Sequence, residues 1–122
     1  MEGKDAAVSV SYAPGWAVVA VTWNHTRIGV DAVPAGAAGL ERILPHGGGD
    51  AIGWARVEAV LKADGRGLAV DPARVEVRGQ GPAWTARIRH AAGDGGVARK
   101  PRDWNGVDIE APAGLVAAIV VR

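Results

Sequence analysis

Apolar and polar positions fall into short alternating segments, punctuated by Gly, Pro, Asn and Asp every eight to twelve residues, the spacing of an all-β sandwich or barrel. Ala7 to Tyr12 alternates, with Val8, Val10 and Tyr12 on one side and Ser9 and Ser11 on the other, which predicts a strand. Ala13-Pro14-Gly15 turns the chain into Trp16 to Trp23, an unbroken β-branched and aromatic run suited to a strand covered on both faces. Asn24-His25 then reads as a two-residue hairpin loop before Thr26 to Val33. That register sets Trp23 against Thr26, Val21 against Ile28 and Val19 against Val30, and the chain is expected to be organised around this hairpin.

Beyond it come Pro34 to Gly39, a short apolar piece from Leu40 to Leu44, and the glycine-rich loop Pro45 to Asp50. Ile52 to Ala63 supports two readings. As a helix it has Asp50 as N-cap, Val57, Val60 and Leu61 on one stripe, Lys62 in the last turn and Gly65 as the stop. As a strand, Ala55, Val57, Ala59, Leu61 and Ala63 alternate with Trp54, Arg56, Glu58 and Lys62. Asp64-Gly65 then forms a hairpin turn that sets Leu61 against Leu68. The strand accounts for more of the pattern and is the expectation carried forward.

Further strands are expected at Arg74 to Arg78, with Val75 and Val77 inward, and at Trp84 to His90, with Trp84, Ala86 and Ile88 on one side. Gly79 to Pro82 joins them. Ala91 to Gly96 is a loop, Val97 to Arg102 is basic, Trp104-Asn105-Gly106 reads as a turn and Val107 to Glu110 as a short strand. Leu115 to Val121 is seven apolar residues in a row. Alternate side chains of a strand point opposite ways, so this one needs cover on both faces, from the core or from a partner. The resulting expectation is a single domain over residues 1–122: an all-β, antiparallel sandwich of about eight strands, jelly-roll or Ig-like.

Composition removes some chemistry. There is no cysteine, hence no disulfide framework and no thiolate nucleophile or ligand. No apolar run approaches the roughly 20 residues of a membrane span, and the first residues do not read as a signal peptide, so a soluble chain of undetermined location is expected. His46-Gly47-Gly48-Gly49 has the form of an esterase oxyanion loop, but the only serines, Ser9 and Ser11, lie in a strand and cannot form the glycine-flanked nucleophile elbow. His25, His46 and His90 are scattered and lack the close spacing of a metal site. Asp64-Gly-Arg-Gly and Asp94-Gly-Gly supply too few oxygen ligands for calcium. Asn24-His25-Thr26 fits the N-glycosylation pattern but coincides with the expected turn.

Charge adds one asymmetry: between Arg74 and Arg102 seven cations stand against Glu76 and Asp94, while the whole chain carries only +1. Arg74, Arg87 and Arg89 are the candidate anion-binding residues of this basic region, and Arg74 and Arg87 are expected near each other on an outward face. Among five tryptophans, Trp16, Trp23 and Trp84 fall in apolar ladders and are expected in the core. Trp54 and Trp104 remain as exposed platforms on which a sugar could stack. The first functional reading is a non-enzymatic interaction or assembly module, such as a structural subunit of a surface or virion-type assembly, without cofactor or metal. A carbohydrate-binding module using Trp54 and Trp104 comes second, and binding of nucleic acid or another polyanion through residues 74–102 third.

Overall fold

The computed structural model of the chain describes residues 5–36, 50–66, 69–79, 81–89 and 103–122. In chain order these residues form β1 (Ala7–Ala13), β2 (Trp16–Thr22), β3 (Ile28–Pro34), α1 (Ala51–Asp64), β4 (Val75–Arg78), β5 (Ala83–Ile88), β6 (Trp104–Ile109) and β7 (Leu115–Val121). β1 and β2 make a two-stranded sheet; the other strands form a five-stranded antiparallel sheet in the order β3-β7-β6-β5-β4. The β-rich class agrees with the sequence pattern. The arrangement differs from a single eight-stranded sandwich: the described residues hold seven strands in two sheets, and a helix forms one outer layer.

Turn chemistry decides the pairing of β2. Proline sets φ at the first central position of a type II turn and glycine accepts positive φ at the second. Pro14-Gly15 supplies both, with Gly15 at φ +78, and Val21 pairs with Val8 and Val19 with Val10. Asn24-His25 makes no two-residue hairpin, because His25 would have to take the left-handed backbone that such a turn demands at both positions. The expected pairing of β2 with β3 is therefore replaced. β3 joins β7, with Ile28 opposite Val121 and Val30 opposite Ile119.

The segment 51–64 is helical, as its caps dictate. The Asp50 carboxylate accepts from the Gly53 amide at 2.8 Å, and Gly65 takes a left-handed conformation at φ +85 while its amide donates to the Leu61 carbonyl. Asp64-Gly65 is thus a helix end and no hairpin turn; Leu68 lies outside the described residues. Ala51, Ala55, Ala59 and Ala63, four residues apart, line a buried ridge that brings the helix onto the sheet. The seat is Gly29 in β3. A Cβ there would overlap the Ala59 carbonyl oxygen, so helix and strand meet backbone to backbone.

The sheet face under α1 carries the main core: Val75, Trp84, Ala86, Ile88, Trp104, Ala118 and Val120 pack with Val57, Val60 and Leu61. On the opposite face the β1–β2 hairpin covers one half of the sheet, where Ala20 and Val18 meet Ile28, Val30, Ile109, Ile119 and Val121. β7 lies between β3 and β6, covered by α1 on one side and the hairpin on the other, as its apolar run requires. Val75, Trp84, Ala86 and Ile88 face inward as expected. Trp104-Asn105-Gly106 belongs to β6 and is not a turn: Trp104 pairs with Ala86, and Gly106 lets the Trp84 ring lie against its backbone, where a Cβ would run into the indole. Gly29→Ala should destabilise the fold by about 3 kcal/mol or more through overpacking of backbone against backbone. A chemical denaturation midpoint equal to that of the parent would remove this helix seat.

Candidate functional site

Antiparallel pairing sorts the hairpin into two faces, with Ser9, Ser11, Val18 and Ala20 on one and Val8, Val10, Tyr12, Ala17, Val19 and Val21 on the other. The serine face points inward. The amide of Val30 donates to Ser9 Oγ at 3.0 Å and that of Ala32 to Ser11 Oγ at 2.9 Å. Residues two apart on one strand are about 7 Å from each other, as are alternate amides on its neighbour, so two serines at i and i+2 match the free edge of β3. The side chains take the place of a backbone ladder.

Lys62 of α1 completes this edge. Its ammonium donates to the Val30 carbonyl at 3.0 Å, to the Val10 carbonyl at 3.2 Å and to Asp31 Oδ1 at 3.1 Å, while Ser11 Oγ donates to the same Asp31 oxygen at 3.3 Å. Helix, sheet and hairpin thus converge on one polar node. Asp31 Oδ2 is buried and has no hydrogen-bond partner among the described residues. Burial holds the Asp31 carboxyl above its ordinary range, against the opposing pull of Lys62 and Ser11. Burial, reinforced by the Asp31 charge, also pushes Glu58 up, and Lys62 offsets part of that.

With the serines inward, the apolar side of the hairpin is turned to solvent. Tyr12 is 80% exposed and Val19 59%, and Val8, Val10, Val21 and Trp23 are exposed as well. Trp16, at the turn end of β2, is 54% exposed. No charged side chain interrupts the strip from Val8 to Tyr12 or from Ala17 to Val21. These side chains form one continuous exposed apolar face, the candidate site of this chain. Alternation alone could not reveal it, because an apolar side normally faces the core; the signal available was a strand whose buried partners are serines.

The tryptophans therefore divide differently from the sequence expectation. Trp84 is core, as expected, and its Nε1 donates to Asp108 Oδ1 at 3.0 Å. Trp16 and Trp23, expected in the core, are exposed. Trp104, expected as an exposed platform, is 1% exposed, with the Arg122 guanidinium 3.9 Å over its ring. Trp54 is half-buried against the main core. Trp104 therefore forms no open stacking surface, while Trp54 keeps part of its surface exposed.

The described part of the basic region is internally paired. Arg87 bonds Asp103 at 3.0 Å, Arg89 reaches Glu76 at 3.2 Å, and Arg78 lies 3.9 Å from Glu76. Arg74 Nε donates to the Arg89 carbonyl, which places Arg74 beside Arg89, while Arg87 stands opposite Glu76. Arg56 binds Asp108 through two nitrogens and lies over the Trp84 ring. His25 is exposed in the β2–β3 loop. His46 with its glycine run, His90, and Arg99 to Arg102 lie outside the described residues. Among the described residues no group of three or more His, Asp or Glu is placed to hold a metal ion, and no helix is long and apolar enough to cross a membrane.

Comparison with protein-family models gives no match for this chain, and comparison with curated protein sequences gives none either.

Two measurements probe the node behind the exposed face. Ser11→Ala should lower stability by about 1–3 kcal/mol, because it removes the acceptor for the Ala32 amide and a donor to Asp31 in a buried place; a neutral result in thermal melting would mean that the edge is satisfied another way. Asp31 and Glu58 bind their protons more tightly folded than unfolded. Stability therefore falls as pH rises from the ordinary carboxylate range to the raised folded values, and stays lower above them. Glu58→Gln should raise the melting temperature at neutral pH, with the gain closing as pH falls towards about 4. A gain independent of pH would remove charge as its cause.

Proposed function

We propose that this chain is a non-catalytic interaction module whose working surface is the outer face of β1–β2, and that its occupant is a protein surface of the same apolar, uncharged character. The observation that carries the reading is the inverted hairpin: serines inward, and Val8, Val10, Tyr12, Val19, Val21 and Trp23 outward. Summed over these side chains, the exposed apolar area is on the order of 600 Å², the upper end of what a monomer shows and most of one side of a standard protein interface. A lipid surface fits less well, since binding there draws on lysine and arginine beside the apolar face and the strip has neither. Assembly into a larger structure is the natural use of such a module.

Fewer observations favour the other two readings. Trp104 is buried and Trp54 half-buried, and the exposed rings of Trp16 and Trp23 stand at opposite ends of β2, too far apart to clasp one sugar. Arg87 and Arg89 are already engaged by Asp103 and Glu76. In dilute solution an apolar-surface dye should bind the parent chain. Val10→Lys and Val19→Lys should each abolish most of that binding while stability stays within about 0.5 kcal/mol of the parent, as for other surface substitutions. Unfolding of both variants would place this face in the core and end the proposal.

A further inference from the structure

We infer that the partner of this face is a second copy of the chain, packed hairpin against hairpin about a two-fold axis that runs parallel to the strands, midway between β1 and β2. The inference rests on the docking role proposed above and names its occupant. An axis so placed lays β1 of one copy over β2 of the other, so the cross-strand pairs of one hairpin recur as contacts between copies. Val10 then meets the partner's Val19, Val8 meets the partner's Val21, and Tyr12 meets the partner's Ala17.

The relief of the face suits this operation. Tyr12, the most exposed of the large apolar side chains, stands beside Ala17, the smallest residue of the strip, so each face carries a knob and a notch that the two-fold axis brings together twice. Valine meets valine at the other two positions. With no charge on the strip, no like-charge contact opposes the pairing of identical surfaces. In full contact two such faces bury at most about 1,200 Å², the lower bound of stable interfaces, so a weak, reversible dimer is expected. Each hairpin would then lie between its own β3–β7 layer and the partner's hairpin at the usual sheet spacing of about 10 Å.

Sedimentation across a concentration series, on the whole chain, tests this. The parent should pass from 12.5 kDa to twice that mass. Val10→Glu and Val19→Lys, each confirmed as folded by its melt, should remain monomeric at the highest concentration. Mixed in equal amounts they should recover the dimer, because the carboxylate introduced in one variant meets the ammonium introduced in the other. A dimer retained by both single variants would put the interface elsewhere and overturn the inference, and monomeric variants that fail to associate when mixed would overturn the two-fold arrangement. If the parent stays monomeric and its face binds the apolar dye, the second copy is refuted while a docking role for another protein survives. A monomer whose face excludes the dye would end both.

Discussion

The free edge of β3 is the constraint on which the hairpin's whole disposition depends. Alternate amides and carbonyls of that strand point away from β7, and a buried backbone group without a partner costs about 1–3 kcal/mol. Ser9 and Ser11 take the amides of Val30 and Ala32, and Lys62 takes the Val30 carbonyl. Once these side chains must face β3, alternation leaves no choice for their neighbours: Val8, Val10 and Tyr12 go outward, and pairing sends Ala17, Val19 and Val21 with them. The magnitudes are uneven. Burying a valine completely is worth about 1.5–3 kcal/mol, so four roughly half-exposed valines and a tyrosine forgo an amount comparable to what the edge hydrogen bonds return. Cover by another surface would recover the forgone part, which is what the proposed docking role supplies.

Behind the hairpin the fold relies on places where a side chain is missing. Gly29 seats the helix and Gly106 seats the Trp84 ring. Asp108 joins these regions, accepting from Trp84 Nε1 and from Arg56 of α1, whose guanidinium also covers the indole. α1 is thereby held at two separate points, by Lys62 over β3 and by Arg56 over β6. The opposite face of the sheet is split in the same manner, apolar beneath the hairpin and salt-bridged across β4 and β5.

Strand positions and inward residues of β4, β5 and β7 were legible in the sequence, because period-two alternation or a continuous apolar run leaves few options. The Ile52–Ala63 segment misled, since alanines and branched residues at every second position satisfy a strand while the same residues bury most of a helix. There the caps, Asp50 and Gly65, were the better witnesses. The pairing of β2 follows the turn and not the apolar ladder: both neighbours of β2 offer valines, and only Pro14-Gly15 has the backbone for a tight reversal. Burial of Trp104 and exposure of Trp16 and Trp23 depend on which sheet each strand joins. Composition carries no information about that, and the candidate site was hidden with it.

The placement of β7 has a kinetic consequence. It is the last of the described strands in sequence order and pairs with both β3 and β6, so Ile28 must wait for Val121, its neighbour far along the sequence, before the sheet can close beside it. The β1–β2 hairpin and α1 are local and can form early, while the contacts that cover their inner faces are among the least local in the molecule. During synthesis the hairpin therefore emerges with both sides uncovered, and its apolar face stays open while it waits for the strand that closes the sheet.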